Sequence, residues 1–183
     1  MAVSDPRRVR FEALFRAHHP AVRAYARRRV PAEAVDDIVS ETFLVVWRRL
    51  GDMPDSPLPW LLTIARNVIG TKRRGKARRQ RLWLRAQSVH VEGYDPRELE
   101  NTDGRAVAAL ALLKERDREA LTLIAWDGLT PAQAAMVLGE PSDRFRQRLH
   151  RAGQRLRAEL VAELGPELPA PLRHARAPTG SCV

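Results

Sequence analysis

Six arginines and no acid lie between Arg144 and Ala158. If this segment is helical, at about 100° per residue, Phe145, Leu149, Ala152, Leu156 and Leu160 share one narrow stripe. Gln147, His150 and Gln154 fall roughly opposite, with Arg146 and Arg151 on the flanks. A helix that reads DNA needs this division. Apolar residues hold it down, while long hydrogen-bonding side chains reach base edges and phosphates. The spacing assigns Gln147, His150 and Arg151 to bases, and Arg144, Arg146 and Arg148 to phosphates. Alone, an arginine-rich helix is as readily a solvated surface face. The residues before it favour DNA. Thr130-Pro131-Ala132-Gln133 is a capping box with proline at the first helical position. The short helix it starts is stopped by Gly139 and Pro141, and its small Ala134 and Ala135 allow a second helix to cross closely. That is a helix-turn-helix pattern.

A second basic tract carries nine Lys+Arg and no acid from Arg66 to Arg85. Such a run is commonly a solvated face or a flexible arm. Here it continues a helix whose apolar face is Trp60, Leu61, Ile64, Ala65 and Val68. Thr63, Asn67, Gly70 and Arg74 form a polar stripe beside that face. Trp60 and Trp83 offer aromatic surface of the kind that stacks on unpaired bases, although Trp60 is also placed to be core. A third feature is the helix Val35–Leu50. Its apolar stripe is Val35, Ile38, Val39, Thr42, Phe43, Val46, Trp47 and Leu50. Leu44 and Val45 widen the apolar surface beside Asp37, Ser40, Glu41 and Arg48, a mixed face suited to a protein partner. Periodicity alone favours an ordinary core helix. His18 and His19 are adjacent and point to different helix faces, which is poor ligand geometry. There is no Gly-rich phosphate loop, nucleophile elbow or HExxH motif. No catalytic site, metal site or cofactor is expected.

The elements that position these residues are all helices. No period-two alternation and no Asn-Gly hairpin occur. The fold class expected is all-α, two small helical domains over 9–79 and 103–164, joined by a flexible linker over 80–102. The Pro/Ala-rich tail, 165–183, is expected to be disordered. Pro20 is expected to restart a helix, a further helix to begin at Trp60, and Ser142 or Asp143 to cap the last one. The 183 residues hold 32 Lys+Arg against 22 Asp+Glu, a formal net charge of +10. Only Lys72, Lys76 and Lys114 are lysines, so arginine supplies nearly all the positive charge. A polyanion is the default partner. The single cysteine, Cys182, excludes a disulfide framework and a zinc site built on paired cysteines. No apolar run approaches the ~18–20 residues of a membrane span, and MAVSDPRRVR has no apolar stretch behind its charges. A soluble, cytoplasmic protein is expected.

The motifs also resemble a family. Asp37-Ile38-Val39-Ser40-Glu41-Thr42-Phe43-Leu44, followed by Trp47, resembles the DLVQETFL-x-x-W motif of bacterial extracytoplasmic-function sigma factors. Trp60-Leu61-Leu62-Thr63-Ile64-Ala65-Arg66-Asn67 resembles the WL-x-x-IA-x-N stretch of the same domain, region 2. Leu121–Leu156 is similar to region 4, including DGLTPAQAAMVLG and Arg148–Ala152. The resemblance covers both blocks and implies a mechanism. Asp37, Ser40, Glu41, Leu44 and Trp47 would dock on the β′ clamp helices of core RNA polymerase. Asn67 would capture an unstacked base at the −10 element, beside Thr71, with Arg66, Lys72, Arg73 and Arg74 on phosphates. The helix-turn-helix would read the −35 element of promoter DNA and sit on the β flap. An anti-sigma factor is a further candidate partner. Two departures stand out. Ser40 replaces a glutamine, and Arg144-Phe145 replace smaller residues in the turn. The rival reading is a free-standing helix-turn-helix regulator, which explains the last helix but not Asp37–Trp47.

Overall fold

The structure is a computed structural model, and it describes residues 5–84 and 104–164. Most of the expected linker and all of the expected tail lie outside them. Among the described residues the regular structure is helical throughout. The first block holds α1 (Pro6–Arg27), α2 (Ala32–Arg48) and α3 (Pro57–Leu84), with a single 3-10 turn at Leu50–Asp52. The second holds α4 (Gly104–Leu112), α5 (Glu115–Ala125), α6 (Pro131–Leu138) and α7 (Ser142–Leu164).

α1 starts where the Asp5 carboxylate accepts from the Arg7 backbone N–H at 3.0 Å. It then runs unbroken through Pro20, so the restart expected there does not occur. Leu14 lies before the proline and Val22, Tyr25 and Ala26 after it, and all four are buried in one core. That shared packing outweighs proline's local cost of about 3 kcal/mol. α3 begins at Pro57, three residues before the expected Trp60. Prolines suit a first helical turn, whose N–H groups have no partner to lose. α2 packs against both α1 and α3. Its Ile38, Phe43 and Val46 are buried, and Thr42 Oγ1 donates to the Ile38 carbonyl at 2.7 Å.

In the second block the capping box forms as written in the sequence. The Gln133 N–H donates to Thr130 Oγ1, and the Thr130 N–H to Gln133 Oε1 at 2.9 Å. Gly139, at φ 67°, ends α6 in the left-handed conformation. The Glu140 N–H then closes on the Ala135 carbonyl at 3.0 Å. α7 begins at Ser142, and the Phe145 N–H bonds the Pro141 carbonyl at 3.0 Å. The helix therefore opens one residue earlier than a Ser142 cap implies and two earlier than an Asp143 cap implies. Phe145, Ala152, Leu156 and Leu160 are buried and Leu149 is partly so, which is the stripe the spacing predicts.

The two blocks are packed on each other. α6 lies against α3, and one buried cluster runs from Val22, Phe43 and Leu61 through to Leu123, Val137 and Phe145. A smaller cluster joins α4 to the far end of α7 through Ala109, Leu110, Leu156 and Leu160.

Candidate functional site

Three surfaces carry the residues singled out by the sequence. The first is the outer edge of α2. Asp37 and Ser40 are exposed, Glu41 is half-buried, and Leu44 stands 56 % exposed on a helix whose other face is full. Trp47 is set apart from this edge. Its ring lies 5.2 Å from Phe11 at a steep angle, the Arg7 guanidinium covers it at 4.9 Å, and its carbonyl accepts from Arg7 at 2.8 Å. The indole ties α2 to α1 and leaves part of its rim open. Lys72 reaches across from α3 to pair with Asp37, and with Glu41 at 3.0 Å. Hydrogen bonds that its ammonium donates to Asp37 first, then Glu41, hold its pKa above the usual lysine value. Lys72 therefore joins the α2 edge to the basic tract.

The second surface is the polar side of α3. Asn67 is exposed, and the Thr71 hydroxyl accepts from Arg74 at 3.1 Å. Arg66 and Arg73 do not face open solvent alone. Arg66 Nε donates to Glu119 at 3.1 Å, and Arg73 to Glu115 at 2.6 Å and to the Arg29 carbonyl at 2.8 Å. Both acids belong to α5. The result is a cleft of about 300 Å³ between the blocks, with Asn67 and Arg74 on one wall and Arg116 and Trp126 on the other. Arg28, which also lines the cleft, pairs with Asp127, and both side chains are almost buried. Burial pushes the Asp127 carboxyl above its usual range, against the pull of Arg28 and Arg29. Burial likewise lowers Arg28. Tyr25 is raised, again chiefly by burial. Its hydroxyl faces Glu119 at 3.5 Å, and the Arg29 guanidinium stacks on its ring at 3.6 Å.

The third surface is the solvent side of α7. Arg144, Arg146, Gln147, His150 and Arg151 are exposed together. Arg146 pairs with Asp143 one turn back, and His150 with Gln154 at 3.1 Å. Arg151 Nε donates to the Gln147 carbonyl at 3.3 Å. Arg148 is placed differently. It is only 20 % exposed and pairs with Glu140, 11 % exposed, at 2.8 Å. The wheel puts it on a phosphate flank, but its side chain turns back to the helix-turn-helix turn.

Sequence reasoning missed Glu115, Glu119 and Asp127 as partners of the first block. The one available signal was Glu115-Arg116-Asp117-Arg118-Glu119, where acids alternate with arginines at the start of α5. The side chain of Trp83 lies outside the described residues. His19 packs between Phe15 at 4.7 Å and Phe43 at 6.1 Å. Among the described residues no group of three or more His, Cys, Asp or Glu could hold a metal ion. None of their helices is long and apolar enough to cross a membrane.

Comparison with known proteins gives a consistent result. Residues 14–79 match the model of Sigma-70 region 2, and residues 104–156 that of Sigma-70, region 4. The chain is 33 % identical over 159 residues to the ECF RNA polymerase sigma factor SigL of Mycobacterium tuberculosis, covering 84 % of this chain and 89 % of that protein. It is 30 % identical over 160 residues to the RNA polymerase sigma factor NccH of Alcaligenes xylosoxydans xylosoxydans, covering 82 % and 86 %. Among solved structures it resembles the sigma factor RpoE of Bartonella quintana, in complex there with the anti-sigma factor NepR. The TM-score is 0.67 at 26 % identity, over 82 % of this chain and 96 % of that one. It also resembles CnrH bound to the cytosolic domain of CnrY, with TM-score 0.59 at 29 % identity, over 84 % and 88 %.

Proposed function

The chain belongs to the extracytoplasmic-function RNA polymerase sigma factors, and we propose that it docks on core polymerase through α2, engages −10 DNA with α3 and reads −35 DNA with α7. The observation that carries the reading is the α2 edge. A helix needed only for the core would end its apolar surface at the buried stripe. α2 instead presents Leu44, 56 % exposed, between the carboxylates of Asp37 and Glu41 and the hydroxyl of Ser40. An apolar anchor ringed by charge fits a basic, partly apolar helical partner, which on polymerase would be the β′ clamp helices. Ser40 is shorter than the glutamine of the family motif, so the acids and Leu44 carry more of this contact.

On α3, Asn67 offers both amide donors and an acceptor to an unstacked base, beside Thr71. Arg66, Arg73 and Arg74 offer sequence-independent phosphate contacts. Lys72 can serve either the phosphates or the α2 acids it now holds. On α7, Gln147, His150 and Arg151 face away from the core and suit the major groove. Region 4 also suits the β flap. The factor itself carries out no bond-making step. Its work is placement of polymerase and separation of strands, in the cytoplasm where the template lies. RpoE and CnrH are held by their partners NepR and CnrY, and an anti-sigma factor is proposed as the regulator of this chain too. A free-standing helix-turn-helix regulator would account for α6 and α7 but leaves the α2 edge without a purpose.

The test is co-purification with core polymerase. Asp37→Lys with Glu41→Lys should abolish it while helicity by circular dichroism stays unchanged. Full retention by the double variant would overturn the assignment of α2.

A further inference from the structure

We infer that Gly70 helps to determine −10 recognition: it leaves a notch in α3, between Asn67 and Arg74, in which an unstacked nucleobase lies flat against the helix backbone. This rests on the reading of α3 as the single-strand surface, and adds how a base is seated there.

Glycine is a poor residue for the middle of a helix, because it loses the most backbone freedom and covers nothing. Gly70 nevertheless stands near the middle of α3. No turn or cap asks for it, since among the described residues only Gly128 and Gly139 are glycines at positive φ. Packing does not ask for it either. A Cβ added to Gly70 would meet a single neighbour within 4 Å, Nη1 of Arg74 at 3.4 Å, the movable end of a long side chain. The helices across the cleft do not reach the position. A methyl group would therefore fit, and would favour the helix. The folded chain gains nothing from its absence, which leaves the space for a ligand.

The surroundings of the notch suit a base. Asn67 lies three residues before Gly70 and Arg74 four after, so all three share one face of the helix. Each also lines the same cavity of about 300 Å³. Asn67 is exposed and brings an amide, which can both donate to and accept from a base edge. Arg74 folds back along the helix, where its guanidinium donates to Thr71 Oγ1 at 3.1 Å and borders the notch. A planar cation of that kind stacks on an aromatic ring. Edge hydrogen bonds and stacking are how proteins hold an extruded base. A phosphate is served without the notch, because arginine reaches it from a distance. A side chain at position 70 would lift the ring from the helix and take its edge away from Asn67.

The experiment uses the full chain with core polymerase on a promoter that the wild-type factor opens, read by permanganate. Gly70→Ala and Gly70→Leu are compared with Gly153→Ala, another helical glycine with nothing within 4 Å of an added Cβ. Both alanine variants should raise the thermal midpoint by about 2–4 °C, since each removes a helix-weakening residue. All three should co-purify with polymerase as wild type does. Opening should fall about tenfold with Gly70→Leu, the order expected when a base loses its hydrogen bond to Asn67, and less with Gly70→Ala. Gly153→Ala should open normally. Abasic sites are then placed singly along the non-template strand of the −10 element. At one of them wild type and Gly70→Leu should become equal, because no base remains to be seated. A lower midpoint with Gly70→Ala would make the glycine a packing requirement and overturn the inference. So would a Gly70→Leu deficit that persists at every abasic position. Unchanged opening with Gly70→Leu, but loss with Asn67→Ala, would overturn the notch alone. Unchanged opening with both would overturn the reading of α3 and the notch with it.

Discussion

At the scale of single residues, α7 separates side chains by what they already hold. Gln147 and Arg151 lie on the open side of the helix, where an amide or guanidinium can meet a base edge in two places. One good bidentate base contact discriminates by ~1–3 kcal/mol, whereas a phosphate contact mainly sets affinity and salt dependence. Gln147→Ala and Arg151→Ala should each relax preference at individual −35 positions in a randomised promoter library transcribed by polymerase carrying the variant. Arg146→Ala should weaken all sequences nearly alike. A changed preferred sequence with Arg146→Ala, and none with the other two, would rotate the proposed reading face. Arg148 belongs to a different problem. Removing it strands Glu140, almost buried and with Oε1 already lacking a hydrogen-bond partner. Leaving a buried acceptor without its donor costs about 1–3 kcal/mol. Arg148→Ala should lower unfolding free energy by that order in urea melts, and Glu140→Ala on the same background should recover part of it. An unchanged midpoint in Arg148→Ala would return Arg148 to the phosphates.

At the scale of elements, the helices were legible because their apolar periods are clean. The stripe from Phe145 to Leu160 and the stripe from Val35 to Val46 are both buried as spaced. Boundaries were less legible where proline intervened. Pro20 reads as a break in local terms, but Leu14 and Val22 drop into the same core and carry the helix across it. Pro57 and Pro59 read as loop, yet they form the first turn of α3. The capping box of α6 was legible to the atom, since its donors and acceptors are fixed by four consecutive residues. Thr130→Ala removes the hydroxyl that accepts from Gln133 and should cost about 1 kcal/mol of stability. In a helix this short, that loss should appear as faster amide exchange in α6, with α1 and α2 unaffected. Uniform loss of protection across the chain would show that α6 does not open on its own.

At the scale of the whole molecule, the sequence pointed to two domains but not to their mutual packing. Contacts such as Arg73–Glu115 and Arg28–Asp127 join residues 42 and 99 positions apart. No local period reports such a pair, and arginine is so abundant here that any acid finds a candidate. The candidate surfaces were legible in the same uneven way. Exposed positions on α2 and α7 follow from the helix period alone. The masking of Arg66 and Arg73, and the capture of Lys72 by Asp37 and Glu41, follow only from how helices from distant parts of the chain meet. One consequence is that α2 and α3 share a residue, so docking of polymerase on the acids would free the Lys72 ammonium for DNA.

Direction of core polymerase to promoters is the activity proposed for this chain, and transcription in a purified system is its decisive measurement. Core polymerase is supplied with DNA from upstream of this protein's own gene, with and without the full chain. A discrete transcript should appear only with the factor and be lost with Asp37→Lys/Glu41→Lys. The same transcripts with and without it, or DNA retention by the chain alone with no start site, would show that the chain does not direct initiation.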